Sequence, residues 1–377
     1  MNVCLVVPPQ QQLHQPTAYV PLGLAYIGAV LENDGHDVEV VDLNISNYIP
    51  KYKDVYGIST TSATFAEACR ISRRLRVSGD FVAVGGIHPS VYPYDTYKES
   101  KCNVVFTGEA EYGFRDFLRS GSRSQWMVKC GYVENLDGLP LPARHLFQNV
   151  VDRSGIHGQE KGVGATTIIS SRGCPYNCTF CTKIPQTSVT RFHSPSRMMA
   201  EAKHVMSNYD VSHFRFVDDI FTLNRERIMK FCNTPHDFTF ICITRADSLD
   251  SELLRNMEKA GCKEVHIGVE SGSQKILNAM NKNTTVKTLE DGVSKIKHAG
   301  IKVKTYLMYG FPGETDEDRQ KTLDFVRRTQ PDKATVSKFM SLPGSALGGR
   351  GDHHWFYPDE DEEYREFKNR VDGLLRI

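Results

Sequence analysis

Three cysteines constrain this chain more than any other feature. Cys174, Cys178 and Cys181 stand in a C-x3-C-x2-C spacing within residues 170–183. Residues 165–169, just before them, are small or β-branched and read as a buried strand. The triplet therefore sits on a loop past a strand, where α/β enzymes place their chemistry. Three thiolates hold one cubane iron–sulfur cluster and leave its fourth iron without a protein ligand, open to a small chelating molecule. Two other readings stand beside this one. Structural zinc wants four closed ligands, often as two C-x2-C pairs, and the next cysteine is as far off as Cys232. A disulfide would leave one of the three unpaired.

The remaining cysteines, Cys4, Cys69, Cys102, Cys130, Cys232, Cys242 and Cys262, are scattered, several within apolar runs. That pattern suits buried thiols in a reducing cytoplasm better than a disulfide framework. The start, Met1 to Pro9, lacks the charged opening and long apolar run of a secretory leader, and no stretch approaches the ~20 apolar residues of a membrane span. A net charge of +1 gives no global field toward nucleic acid or a membrane surface, although a local basic patch would escape that count. At 377 residues the chain has room for two or three domains.

Residues 1–120 alternate strand and helix patterns. Apolar runs at 3–7, 38–41, 55–59, 81–84 and 104–106 are separated by segments with helical spacing. Such alternation predicts a doubly wound, Rossmann-like parallel sheet, which binds ligands beyond the carboxyl ends of its strands. Those ends are Pro8-Pro9, Ser59-Thr60, Gly85-Gly86 with His88 behind it, and Gly108-Glu109. No G-x-G-x-x-G follows the first strand, which argues against a nicotinamide site. Residues 121–164 read as a linker, punctuated by Gly121-Ser-Arg-Ser and by Leu139-Pro-Leu-Pro-Ala-Arg144.

Residues 165–345 repeat the β-then-α pattern, with strand ends at Asp218-Asp219, Arg245, Glu270-Ser271-Gly272 and Gly310-Phe-Pro-Gly-Glu314. With the strand before the cysteines this makes six βα units, too few for a closed eight-stranded barrel. Taken singly, these ends have plain explanations. Asp219 caps a helix, Glu270 makes half of a structural ion pair, and Gly310 to Gly313 is an ordinary turn. The tail, 346–377, carries the acidic run Asp359 to Glu363 as the start of a packing helix.

The cysteine spacing, with Phe180 before the last cysteine, resembles the signature of the radical SAM superfamily. The N-terminal pattern looks like the cobalamin-binding domain that precedes many radical SAM modules. The proline-bearing run at 139–144 is similar to the segment joining the two. The resemblance spans roughly residues 1–345, and implies a partial (β/α)6 barrel with a short helical tail. It implies a [4Fe-4S] cluster on Cys174, Cys178 and Cys181, whose open iron S-adenosylmethionine chelates and which cleaves that cofactor to a 5′-deoxyadenosyl radical. Phe180, Asp218, Asp219, Arg245, Glu270, Ser271, Tyr306 and Gly310 fall where the family contacts S-adenosylmethionine. Ser59, Thr60, Gly85, Gly86, His88, Gly108 and Glu109 fall where it cradles cobalamin.

One departure is plain: the D-x-H-x-x-G sequence that gives some corrinoid proteins a histidine ligand is absent. His14 stands in that loop without the aspartate or glycine. His88 reads as a loop residue near the ligand rather than a cobalt ligand. The resemblance implies cobalamin-dependent methylation of an unactivated carbon on a small metabolite or natural-product intermediate, with an external electron donor of flavodoxin or ferredoxin type. A radical SAM dehydratase, epimerase or cyclase is the alternative, and a non-catalytic metal-binding interaction protein a third. No residue stands out for acid–base work; Tyr306, Tyr309 and Arg245 are candidates by position alone.

Overall fold

In a computed structural model, residues 1–10, 15–184, 187–348 and 361–375 are described; His14 and the first part of the acidic run at 359–363 lie outside them. The chain divides into two units.

The first unit comprises Met1–Asp152 with Ile184–Arg191. Its strands are β1 (Asn2–Val7), β2 (Asp37–Asp42), β3 (Val55–Ser59), β4 (Val82–Gly85), β5 (Val104–Thr107) and β6 (Met127–Lys129). They form one sheet in the order β2-β1-β3-β4-β5-β6, parallel throughout. Near-continuous burial along β1, β3 and β5 explains their apolar runs, because a parallel sheet is covered on both faces. Helices α1 (Leu22–Asn33) and α5 (Ala110–Ser120) pack together, as do α2 (Phe65–Val77) and α4 (Pro93–Ser100); the short α3 (Ile87–Val91) precedes α4. The strand order reverses between β1 and β3, which places a ligand crevice at the carboxyl ends there.

Residues 121–152, expected as linker, belong to this unit. β6 adds a strand beside β5. Beyond it the Ala143 amide donates to Ala25, and Asn149 Nδ2 to the Thr17 carbonyl at 2.7 Å. The sequence concealed β6 because three residues, none buried, carry no periodicity.

The second unit comprises Arg153–Lys183, Phe192–Gly348 and the C-terminal helix. Two short strands, β8 (Ser171–Arg172) and β9 (Arg191–Phe192), flank the cysteine loop. The main sheet is β7 (Ala165–Ile168), β10 (His213–Phe216), β11 (Thr239–Thr244), β12 (Cys262–Glu270), β13 (Lys302–Tyr309) and β14 (Lys333–Lys338). These six pair in sequence order, all parallel, so every carboxyl end lies along one rim. Helices α6 (Pro195–Asn208), α7 (Arg225–Cys232), α8 (Ser251–Lys259), α9 (Gln274–Ala279), α10 (Val286–His298) and α11 (Asp316–Thr329) lie between the strands, α9 and α10 both after β12. Along β13, Val303, Thr305, Leu307 and Tyr309 are buried while Lys304, Tyr306 and Met308 are half-buried. That alternation separates a helix-covered face from an inner face. α12 (Glu362–Leu374) follows; Tyr364 donates to the Val336 carbonyl at 2.9 Å, and Tyr309 packs on Tyr364 and Phe367.

Candidate active site

The cysteine loop leaves β7 at the rim and is held by three other segments. The Thr179 amide donates to the Met280 carbonyl at 2.9 Å, and Asn281 Nδ2 to the Asn177 carbonyl at 2.8 Å. Thr182 donates to the Pro343 carbonyl, and the Lys183 amide to Gly344. The Arg245 guanidinium lies over the Tyr176 ring, 3.8 Å from its centroid. A loop without regular structure is thus fixed by neighbours from just beyond β11, α9 and β14.

All three cysteines are free thiols; Cys174 and Cys178 are half-buried and Cys181 exposed. Burial raises the Cys174 thiol, opposed by the Tyr176 amide and Lys183. Cys181 reaches solvent while protein crowds its inner side. That crowding, with Asp219, Cys178 and Cys174, pushes its thiol up to about 11. The three sulfurs therefore lie within one another's field, in surroundings that favour thiolates only when a cation joins them. Among the described residues no three His, Cys, Asp or Glu side chains converge tightly enough for a single ion. A cubane puts each thiolate on a different iron, which spreads its ligands more widely than one ion does. The donor set fits a cluster with one open iron.

The adjacent aspartates do different work. Asp218 is buried, and its two oxygens accept from the Ser170 amide at 2.6 Å and the Ser170 hydroxyl at 2.5 Å. Arg227, itself buried, stands 3.7 Å from the same carboxylate and donates to the Ser170 carbonyl at 2.8 Å. Asp218 therefore ties the end of β10 to the end of β7. Asp219 is accessible to solvent but has protein on most sides. Burial and then Asp218 raise its carboxyl, while Lys183 and the Gly173 amide oppose them. It is the carboxylate that shares the thiols' surroundings.

Arg245 is buried, with Nε and one terminal nitrogen bound to Asp247 at 2.9 and 2.6 Å, and the latter also to the Lys282 carbonyl at 2.9 Å. Glu270 has φ +64°, where the β12–β13 register shifts between Gly268 and Glu270. This turns its carboxylate onto buried Lys282 Nζ at 2.7 Å, over the place where a Cβ on Gly268 would sit only 2.5 Å from Glu270 Oε1. Lys282 also lies 5.8 Å from the Phe180 centroid, and Phe180 packs with Ile276, Met280 and Phe311. Ser271 is buried and turned inward, 3.3 Å from Thr322 and accepting from the Ser273 amide. The Gly310 amide donates to Glu314 at 2.7 Å, closing the turn after β13. Tyr306 lies below this rim on the inner face, its hydroxyl 2.9 Å from His266. Sequence reasoning missed Lys282 and Tyr176, since no spacing distinguishes either from a solvent-facing residue.

In the first unit, the turns after β3 and β4 are stitched together. The Thr60 amide donates to the Gly85 carbonyl at 2.9 Å. Gly86 has φ +119°, and a Cβ there would sit 2.4 Å from the Thr60 carbonyl oxygen. Thr60 is buried with its hydroxyl against Thr64, leaving Ser59, Thr61 and Ser62 more accessible. His88 is fully buried, stacked on Phe65 at 3.9 Å with Nδ1 3.0 Å from Ser62, so its ring supports the turn from behind. The Gly108 amide donates to Ser90. Glu109 accepts from both terminal nitrogens of Arg191 at 2.7 Å and from the Val133 amide.

Two domain families match this chain. The B12 binding domain matches residues 16–118 and the radical SAM superfamily residues 168–326. The chain thus carries a B12-binding domain followed by a radical SAM domain. Among curated relatives, an uncharacterized methyltransferase of Pyrococcus horikoshii is 29% identical, over 92% of this chain and 82% of that one. The anaerobic magnesium-protoporphyrin IX monomethyl ester cyclase of Rubrivivax gelatinosus is 25% identical, over 87% of this chain and 65% of that one. In fold the chain is similar to the radical S-adenosylmethionine methyltransferase TsrM of Kitasatospora setae, solved with cobalamin and a [4Fe-4S] cluster. The TM-score is 0.72 at 16% identity, covering 92% of this chain and 77% of that one.

Proposed function

We propose that this enzyme is a cobalamin-dependent radical SAM methyltransferase acting on an unactivated carbon of a small molecule. One observation carries the reading: three free thiols share a rim with Asp219 and the Glu270–Lys282 pair, in a chain that begins with a B12-binding domain. Cys174, Cys178 and Cys181 hold a [4Fe-4S] cluster. Asp219, raised by its surroundings, gains a partner in the ammonium of S-adenosylmethionine. Lys282 faces that cofactor's carboxylate, and Phe180 with Phe311 its adenine. Ser59, Thr60, Gly85 and Gly86 form the corrinoid's cradle. When bound, the cluster and S-adenosylmethionine supply reductive radical chemistry, and the corrinoid supplies the methyl group. An external donor of flavodoxin or ferredoxin type provides electrons, and a reducing cytoplasm suits the ten free thiols. Among the described residues no helix is long and apolar enough to cross a membrane.

The test is anaerobic reconstitution with iron, sulfide and hydroxocobalamin, followed by absorption spectra and mass analysis of cofactor products. Methyl transfer gives S-adenosylhomocysteine alongside 5′-deoxyadenosine. A cyclase-type radical reaction, raised by the Rubrivivax relative, gives 5′-deoxyadenosine without S-adenosylhomocysteine. Failure to retain a corrinoid would remove the cobalamin assignment and leave the cluster.

A further inference from the structure

The inner face of the second sheet carries a chain of buried polar groups that cofactor binding does not account for. Glu264 and His266 lie on β12, two residues apart and so on one face, and both are 2% exposed. His266 Nε2 is 2.6 Å from Glu264 Oε1, and His266 Nδ1 is 2.9 Å from the Tyr306 hydroxyl on β13. Burial holds the imidazole below its ordinary range; Glu264 opposes this, and Arg215 and Lys304 add to it. A neutral imidazole has one N–H, and a carboxylate only accepts. The N–H is therefore on Nε2, toward Glu264. Nδ1 must accept, and the Tyr306 hydroxyl must donate. The order is carboxylate, imidazole, phenol, with the phenol at the half-buried inner surface.

The neighbours favour negative charge on that phenol. Arg215, from β10, approaches the Tyr306 oxygen at 3.4 Å. Lys304 lies 5.4 Å from the Tyr306 centroid, is half-buried, and has no carboxylate within ion-pair distance among the described residues. On the far side, Lys333 from β14 binds the second oxygen of Glu264 at 2.6 Å.

We propose that Tyr306 is the acid–base group of this active site, with His266 and Glu264 as its positioning residues, and that the substrate carries an O–H or N–H on or beside its reacting carbon. The proton leaves the substrate oxygen or nitrogen, whose electron pair stays behind. It arrives on the Tyr306 oxygen as the phenol's own proton passes to His266 Nδ1. The resulting imidazolium is held by Glu264, and nothing is oxidised or reduced. An anionic oxygen on a carbon weakens that carbon's C–H bond, which suits a site where hydrogen is removed from carbon. Lys304 and Arg215 stabilise that oxygen's charge as preorganised cations. This rests on the enzyme reading above only for the step it serves; the proton chain stands on its own geometry.

The test uses full-length, cluster-reconstituted enzyme labelled with 3-fluorotyrosine and followed by fluorine NMR, with Tyr306→Phe assigning the signal. Tyr306 should ionise at least one pH unit below the exposed Tyr52 because Arg215 and Lys304 face it, and Lys304→Met should shrink that difference, whereas His266→Gln, which removes the proton acceptor, should lower kcat. A Tyr306 that ionises with or above Tyr52, or is indifferent to Lys304→Met, overturns the proposal, as does an unchanged kcat in His266→Gln. In the methyl-transfer assay, Tyr306→Phe should lower kcat by about 100-fold or more with a smaller change in KM; an unchanged kcat overturns it. Absence of S-adenosylhomocysteine with the NMR result intact would defeat the methyltransferase reading while leaving the proton chain in place.

Discussion

The Arg245 guanidinium carbon lies over the Tyr176 ring, 3.8 Å from its centroid, and this contact couples the end of β11 to the cysteine loop. Arg245 is already fixed by Asp247 and the Lys282 carbonyl, so it brings a rigid surface to a loop with no regular structure. Replacing it by lysine removes both the planar stacking surface and the fork. Arg245→Lys should speed iron release to a chelator roughly fivefold, the factor carried by about 1 kcal/mol of stacking. Tyr176→Leu should match it, and the double variant should add little. If Arg245 served only as a cofactor ligand, Tyr176→Leu would leave iron release unchanged.

The two adjacent aspartates should separate in experiment. Asp218→Asn leaves buried Arg227 without its carboxylate and unmakes the Ser170 pairing, which should cost about 3 kcal/mol or more in urea unfolding. Asp219→Asn should leave unfolding within roughly 0.5 kcal/mol, because the folded site disfavours that negative charge already. It should instead weaken S-adenosylmethionine binding about tenfold or more by calorimetry. The reverse pattern would exchange their roles.

That pair also marks where the sequence stops being legible. The cysteine spacing and the β/α alternation fix the class of fold, because thiol chemistry and sheet burial depend on local pattern. Which of Asp218 and Asp219 turns inward depends on the chain's path past β10, and both residues look alike beforehand. Lys282 becomes visible only through the backward turn of Glu270, a left-handed residue at a register shift. His88, placed beside a ligand by its position after Gly85-Gly86, is buried against Phe65. The Glu264–His266–Tyr306 chain joins residues 40 apart between β12 and β13, a pairing set by strand register alone.

Gly86 tests the cradle in the first unit. Alanine there must adopt φ +119° and place its Cβ 2.4 Å from a backbone oxygen of Thr60, which cannot move without opening the turn after β3. Gly86→Ala should cost about 3 kcal/mol. Reconstituted protein should also lose corrinoid while keeping its iron, read from cobalt and iron content of the same sample. Loss of both metals together would show that the damage spreads beyond the first unit.

His213 gives the second unit an acid-sensitive point away from the cluster. Burial holds its pKa down to about 4 from 6.5, only partly offset by the His157 carbonyl, which accepts from Nε2 at 3.1 Å. Nδ1 then accepts from the Thr239 hydroxyl at 2.7 Å, so the neutral ring has both nitrogens satisfied. Between pH 6.5 and 4 the unfolded chain binds a proton here that the folded chain refuses. The contribution is therefore complete above pH 6.5, falls as pH drops toward 4, and amounts to on the order of 3 kcal/mol across that window. His213→Gln keeps a donor and an acceptor but cannot titrate. Urea unfolding at pH 7 and pH 4.5 should show a wild-type decrease that the variant lacks in part, with the two curves converging on acidification. Parallel decreases in both would mean that His213 is charged in the folded state and that Nδ1 donates to the Thr239 hydroxyl.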